Sequence, residues 1–596
     1  MCGLIGAITR HSISIEKVKT VLSQMKYRGP DSTGTAIVKF KYGYITLGFN
    51  RLAIQDLSEV ANQPFTKNDI TILLNGEIYN KIELRELLFK KHDVFFITDS
   101  DTEVALEGYF HFGENFISRL RGMFALVIVD HKKQKVFIYR DRFGIKPIYI
   151  LKNIGDLYFS SDIKSLIYLS GNDSINLDYF ARNLLLDPFV GYDESTAFEN
   201  IFSLLPGSYL EIDIDGIVHQ HQYYRISDVL INNEVINQSA VRKLFMNSVS
   251  EHLLSDVPVG CALSGGFDSS LISVIARQES ESCKLFFTID LGKEHNIFKD
   301  DPFHGKLVYN TFDKDKTEFI PVQLNIPWSL ETIDLLIQTL GSPLYDNRTL
   351  VWYNFYNEVK KHCTVLLNGQ GADELWYGYY PKIWNWFSNL FHEDFNSHSI
   401  RQYFTNRKNN SAVFGLLSSY VYSRFDYFVQ DVIEKILSST KESNNHKKIT
   451  LFMVKTVLAS LLNFEDATSM LSSVEVRVPF LDHRFVEMAL SLDSEAHLGS
   501  TKKGKDFLKK AFNNYLPSEV IEREKSPLPK PLDVGIVALY DKHFDEISSS
   551  SLVRELYEWK QLNNFTKNKT QGFYGTPSEA MVQIISTWRF GEFYGI

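Results

Sequence analysis

Two groups of residues in this chain have the types and spacing for covalent chemistry. The first is Cys2, in the opening run Met1-Cys2-Gly3-Leu4-Ile5-Gly6. Initiator methionine is readily removed ahead of a small side chain, which would leave a thiol and a free α-amine on one residue. Their reference pKa values, about 8.5 and about 7.7–8, are close enough for the amine to act as base to the thiol. The second group starts with Val259-Gly260-Cys261-Ala262-Leu263, an apolar run that reads as a buried strand. It feeds Ser264-Gly265-Gly266-Phe267-Asp268-Ser269-Ser270 and then a helical run, Leu271–Arg277. A strand, a glycine-rich turn and a helix start bring backbone N–H groups and the positive end of the helix dipole onto an anion. No Gly-Lys-Ser/Thr follows, so this is not the Walker pattern.

Cys2 is followed by five short clusters in order: Tyr27-Arg28-Gly29-Pro30-Asp31, Asn50-Arg51-Leu52-Ala53-Ile54, Asn75-Gly76-Glu77-Ile78-Tyr79-Asn80, Ser100-Asp101-Thr102-Glu103 and Arg140-Asp141-Arg142-Phe143-Gly144. Together they resemble the N-terminal-nucleophile glutamine amidotransferase domain, over roughly residues 2–210. The resemblance implies a four-layer α/β fold and glutamine as substrate. Arg51 would take its α-carboxylate in a bidentate fork, and Asp101, with Glu77, its α-ammonium. The Asn75 amide and the Gly76 N–H would hold the oxyanion formed as Cys2 attacks, Gly76 approaching closely because it has no Cβ. Asn-Gly is ordinarily a hairpin turn; here it follows the strand-like run Ile70–Leu74. The family usually carries histidine where Tyr27 stands and just before the arginine, where this chain has Phe49-Asn50.

Further on, the buried strand Thr364–Leu367 ends in Asn368-Gly369-Gln370-Gly371-Ala372-Asp373-Glu374, and later come Ser473–Asp482 and Gly504-Lys505-Asp506-Phe507-Leu508. With the Ser264–Ser270 turn, these blocks resemble the synthetase domain of glutamine-hydrolysing asparagine synthetase, over roughly residues 236–530. The resemblance implies a doubly wound parallel α/β sheet with added helices that adenylates a carboxylate. Leu263 and Ile289, the latter in the strand Phe286–Ile289, would flank adenine. Ser264, Gly265, Gly266, Asp268 and Ser269, with Asn368 and Gly369, would face ATP. Asp268 and Asp373 would hold Mg2+, because a carboxylate needs a cation to meet pyrophosphate. Lys505 would stabilise charge as the acyl-adenylate forms and collapses. Asn368 and Gln370 depart from the family, where serine and an acid are familiar; Gln370, though inside the catalytic block, cannot act as a general base.

Length and composition agree. A chain of 596 residues accommodates two large domains, expected at residues 2–210 and 236–596. The seam is read near residues 211–235, after a hairpin turning at Asp215-Gly216; the helical spacing of Val241–Met246 follows it. A net charge of −9 argues against a nucleic-acid binder. Four cysteines show no framework spacing, and Cys261, Cys283 and Cys363 read as reduced core thiols. The 16 histidines form no ligand cluster. No apolar run reaches ~18 residues, so neither a membrane span nor secretion is expected and the cytoplasm is. The aromatic stretch from Ile383 to Leu462 reads as helices broken at Arg407–Asn410 and Lys441–Asn445, and Asn563–Lys569 as an exposed loop.

The expectation is therefore a two-site enzyme. Glutamine loses its amide nitrogen at Cys2 through a thioester. Ammonia crosses inside the protein to a carboxylate activated as its acyl-adenylate, giving amide, AMP and pyrophosphate. Aspartate is the first choice of acceptor. A sugar acid or a cell-wall or antibiotic precursor is the second, motivated by Asn368, Gln370 and the segment Gly292–Pro302, which only partly follows the family. A non-catalytic regulatory or storage relative is the third, against which stand intact Cys2, Asp268, Asp373 and Lys505. ATP, Mg2+, glutamine and the acceptor are the expected small molecules; a homodimer is left open.

Overall fold

The computed structural model describes residues 2–186, 191, 193–213, 215–229, 236–290, 300–324, 327–379, 395–410, 413–438, 445–499, 504–523, 534–567 and 577–596. The strands up to Gln222 are β1 (Gly3–Thr9), β2 (Ser32–Lys39), β3 (Tyr44–Arg51), β4 (Phe65–Lys67), β5 (Ile70–Ile78), β6 (Gly122–Asp130), β7 (Lys135–Arg140), β8 (Tyr149–Asn153), β9 (Asp156–Ser160), β10 (Ile201–Ser203), β11 (Ser208–Ile212) and β12 (Val218–Gln222). They form two sheets, ordered β10-β8-β9-β1-β3-β2 and β12-β11-β7-β6-β5-β4.

The strand period of two explains the layering. In β1, Leu4 and Ile8 point into the core between the sheets, where they meet Leu73, Val127 and Ile138. Ile5 and Ala7 point the other way, onto Val18, Val21 and Leu22 of the Ile15–Gln24 helix. In β5, Ile70, Ile72 and Leu74 pack against Leu84, Leu88 and Val104 on the helices Lys81–His92 and Asp101–Phe112. The result is helix, sheet, sheet, helix: the four-layer arrangement expected. Asn75 and Gly76 lie inside β5, paired with Ala125 and Phe124, so this Asn-Gly is not a turn. The second sheet runs on through β12, past residue 210, and turns at Gly216.

The remaining strands, β13 (Val259–Ala262), β14 (Leu285–Asp290), β15 (Glu318–Gln323), β16 (Val365–Leu367) and β17 (Glu475–Arg477), form one parallel sheet ordered β15-β14-β13-β16-β17. The order reverses between β13 and β16, the crevice where doubly wound sheets bind ligands. Both glycine-rich turns leave the sheet there. Helices cover it: Gln238–His252 and Phe267–Glu279 are the first two. The Ser397–Asn410 helix runs through Arg407–Asn410, and the Trp559–Lys567 helix takes in most of Asn563–Lys569. Neither segment is the break or loop expected, because tertiary packing of a helix outweighs weak local propensity. Residues 441–444 of the second expected break, and the polar stretch 231–234, lie outside the described residues.

The two halves share their cores. Leu52, Ile54, Tyr79 and Met123 pack in one cluster with Val476, Leu481 and Phe267. Charged residues are buried with them. Arg28 (2% exposed) pairs with Asp466 (3%) at 2.9 Å, and Lys146 stands 3.9 Å from the same carboxylate. Arg477, on β17, pairs with Glu475 at 2.7 Å and reaches Glu77 at 3.5 Å, while donating to the carbonyls of His252 and Leu254.

Deleting one partner from such a site leaves a charge without compensation, which costs about 3–5 kcal/mol. Asp466→Ala, which strands both Arg28 and Lys146, is expected to lower stability by about that amount, read from the urea midpoint and slope. A loss below about 1 kcal/mol would show that the two cations are not held by this carboxylate.

Candidate active sites

Register builds the first site. Pairing of Gly3 with Asn50 sets Cys2 beside Arg51, at the ends of β1 and β3. The Cys2 N–H donates to Asn75 Oδ1 at 2.9 Å, and its Sγ lies 3.9 Å from the Leu52 carbonyl. Arg28 Nε donates to the Cys2 carbonyl at 3.2 Å. Cys2 is thus tied to the Asn75 side chain on one side and to the buried Arg28–Asp466 pair on the other. Burial pushes the Cys2 thiol up to about 11; the positive chain terminus and Arg51 pull it back only in part. These values hold with Met1 in place; removal of Met1 puts the α-amine on Cys2 itself.

The flanking groups converge, with one difference in role. Gly76 has φ +148, and a Cβ there would strike the Met123 carbonyl on β6, so the glycine is required by strand packing before any substrate is considered. Asp101 is the first residue of its helix, after the Ser100 cap, and its Oδ2 accepts from Ile78 N–H at 2.8 Å. Glu77 accepts from Gln55 and lies near Arg477. Burial raises both carboxyls above their usual range, and the Glu475 charge adds to this. Arg51 already spends its terminal nitrogens on Ser58 O, Asn62 Oδ1, Gln55 O and Asp56 O. In this conformation its fork organises the 55–62 loop beside Cys2.

The second site forms around the two turns. Ser264 Oγ and Ser269 Oγ lie 2.9 Å apart, and Ser269 Oγ accepts from Ser264 N–H at 3.1 Å. Gly266 caps the 13-residue Phe267–Glu279 helix with no side-chain hydrogen bond, which leaves the first N–H groups available to an anion. Leu263 N–H donates to Phe287 O at 2.7 Å and its side chain is fully buried; Ile289 is half-buried. The turn after β16 packs against this loop: a Cβ on Gly369 would lie 3.0 Å from Asp268 Cβ. Asn368 N–H donates to Arg477 O at 2.9 Å. Gln370 Nε2 is buried and has no hydrogen-bond partner among the described residues. The acceptor-side segment 292–299 lies outside them, as do Lys502 and Lys503.

Lys505 is the centre of this site. Its Nζ lies 2.7 and 2.6 Å from the Asp268 carboxylate oxygens and also contacts Asp373 Oδ1. It is 5% exposed and holds φ +58, a left-handed conformation uncommon outside glycine, at the cap of the Asp506–Ala511 helix. A Cβ on Gly378 would collide with both Asp373 and Lys505, so that glycine opens the slot where they meet. Two carboxylates from different loops thus share one cation, a hard-oxygen donor pair of the kind Mg2+ takes. No group of three or more potential metal ligands occurs among the described residues.

The sequence reading missed the residues between the sites. Asp466 and Glu465, on the Ala459–Leu471 helix, are buried. Two adjacent acids between Phe464 and Ala467 were the available signal. Arg477 and Glu475 fell within a noted block but were given no role.

The amidotransferase chemistry of the first site and the phosphate chemistry of the second both have counterparts. A sequence model described as a glutamine amidotransferase domain matches residues 1–224, and one described as asparagine synthase matches residues 240–588. Glutamine-hydrolysing asparagine synthetase 1 of Bacillus subtilis is 31% identical over 572 residues, covering 89% of this chain and 87% of that protein. Synthetase 3 of the same organism is 28% identical over 610 residues, covering 96% and 94%. Matched by both domain models and, over 89% and 96% of its length, by these relatives, this chain belongs to the glutamine-hydrolysing asparagine synthetase family.

Proposed function

We propose that the chain is an ATP-dependent, glutamine-hydrolysing asparagine synthetase. The observation that carries this is the common interface: Cys2 and the Asn368–Asp373 turn both abut the buried contacts between the domains, through Arg28–Asp466 and Glu77–Arg477. On this reading, nitrogen released at Cys2 crosses that interface to the second site.

At the first site the Cys2 sulfur attacks the glutamine amide carbon, the Cys2 amine takes the thiol proton once Met1 is removed, and the Asn75 amide with the Gly76 N–H bear on the oxyanion. Asp101 and Glu77 hold the substrate ammonium. Arg51 holds the covering loop and the carboxylate end of the pocket. Ammonia leaves and water later hydrolyses the thioester. At the second site, Ser264, Gly265, Gly266 and Ser269 and the free helix N-terminus bind the phosphates. Asp268 and Asp373 would hold Mg2+, which would supply positive charge against the phosphates. Lys505, already seated between them, moves onto the α-phosphate and acyl oxygens as charge builds there. Aspartate is the acceptor, and its β-carboxylate becomes the acyl-adenylate.

Asparagine, AMP and pyrophosphate formed from aspartate, ATP and glutamine test this reading; pyrophosphate release with a sugar acid and none with aspartate would replace the acceptor and leave the chemistry. Cys2→Ala is expected to abolish glutamine hydrolysis while synthesis from ammonium salts persists, and mass spectrometry should find the mature wild type without Met1. Full glutaminase activity in protein that retains Met1 would exclude the α-amine as base. Lys505→Ala is expected to slow acceptor-dependent pyrophosphate release by ~10²–10³, the usual loss for one preorganised charge-stabilising group, with glutaminase activity retained. A loss under about tenfold would return Lys505 to a purely structural ion pair with Asp268 and Asp373.

A further inference from the structure

Amide synthesis needs a proton acceptor that none of the residues above supplies. Ammonia adding to an acyl carbon arrives as –NH3+, and the tetrahedral adduct cannot lose AMP productively until that nitrogen gives up a proton. Gln370 has no basic atom, and Lys505 is a cation engaged with two carboxylates.

Glu465 is the buried acid nearest in chemistry to this need. It is 3% exposed and lies one residue before Asp466. Tyr356, on the Arg348–Val359 helix, donates its hydroxyl to Glu465 Oε1 at 2.9 Å. Asn368 Nδ2 donates to the same oxygen. Among the described residues, both hydrogen bonds to this carboxylate fall on Oε1, which leaves Oε2 to take a proton. Asn368 starts the turn at the ligand end of β16, and the next residue packs on Asp268. Asp466 faces the other way, to Arg28 and so to the Cys2 carbonyl. Glu465 therefore stands between the source of nitrogen and the loop that meets the nucleotide.

We propose that Glu465 is the general base of the amide-forming step. This rests on the function proposed above. The nitrogen lone pair forms the C–N bond and the acyl C=O pair moves to oxygen; Glu465 takes one N–H proton. The oxyanion then re-forms C=O, and the C–O bond to AMP breaks with its electron pair on the phosphate oxygen. The proton on Glu465 is returned to solvent before the next turnover.

The environment suits the task. Burial lifts the Glu465 carboxyl to about 7, opposed by the hydrogen bonds from Tyr356 and Asn368 and the charge of Lys146, with Asp466 pushing the same way as burial. A base titrating near the working pH is the efficient compromise between being free and being strong. Tyr356 itself is held neutral, its hydroxyl pushed well above its usual range by burial and by Glu465.

The test is a single-turnover quench with aspartate, ATP and saturating ammonium chloride, comparing wild type with Glu465→Gln, which keeps an oxygen for Tyr356 and Asn368. Removal of a general base typically lowers a rate by ~10²–10⁴. Amide formation in the variant is expected to fall by at least ~10² while aspartyl-adenylate accumulates, and the rise of the wild-type rate through about pH 7 should disappear. Amide formation within tenfold of wild type overturns the role of Glu465. So does parallel loss of adenylate formation, which marks a structural residue. Wild type that makes neither adenylate nor asparagine contradicts instead the function on which the role rests.

Discussion

An arginine in an apolar interface must be met by a carboxylate, and Arg28 meets Asp466 across 438 positions of sequence. The pair is almost wholly buried, so its geometry has to be satisfied whenever the two halves pack. The rest of the arrangement hangs on it. Arg28 also donates to the Cys2 carbonyl, which fixes the nucleophile relative to the interface. Asp466 sits on the helix that carries Glu465 to Asn368 and Tyr356. One ion pair thus sets Cys2 of one domain against the Asn368 turn of the other.

Burial shapes the reactive groups in opposite ways at the two sites. At Cys2 it pushes the thiol up, against the pull of the positive chain terminus and Arg51. Around Lys505 it concentrates opposite charges: two aspartates and a lysine in a slot that Gly378 leaves open. That lysine keeps both carboxylates paired. Both designs hold charge ready without leaving it uncompensated in a low-dielectric interior.

Much of this was legible in the sequence because it is local. The strand–turn–helix at Val259–Arg277 and the strand ending at Asn368 rest on short apolar runs and glycines, and β13, the Phe267–Glu279 helix and β16 lie where those runs do. Lys505 stands at the start of its helix as its spacing before Asp506-Phe507-Leu508 suggested. What the sequence leaves open is of long range. Gly76 is needed to clear β6, a contact no local reading contains. The Leu263 side chain is core, because the parallel sheet is covered on both faces. Asp466, Glu465 and Arg477 acquire meaning only when partners from the other domain or another helix arrive. Arg407–Asn410 and Asn563–Lys567 are helical because tertiary anchoring outweighs weak propensity.

The central claim is that nitrogen from glutamine crosses the domain interface to the activated carboxylate. The direct measurement is isotopic: amide-15N glutamine, ATP and aspartate, with unlabelled ammonium present in excess, and mass analysis of the product. The account predicts asparagine labelled predominantly with 15N and formed in step with AMP. Asparagine carrying the label in proportion to the bulk ammonium pool would contradict transfer through the interface, and labelled ammonia released with no labelled amide would contradict the coupling of the two sites.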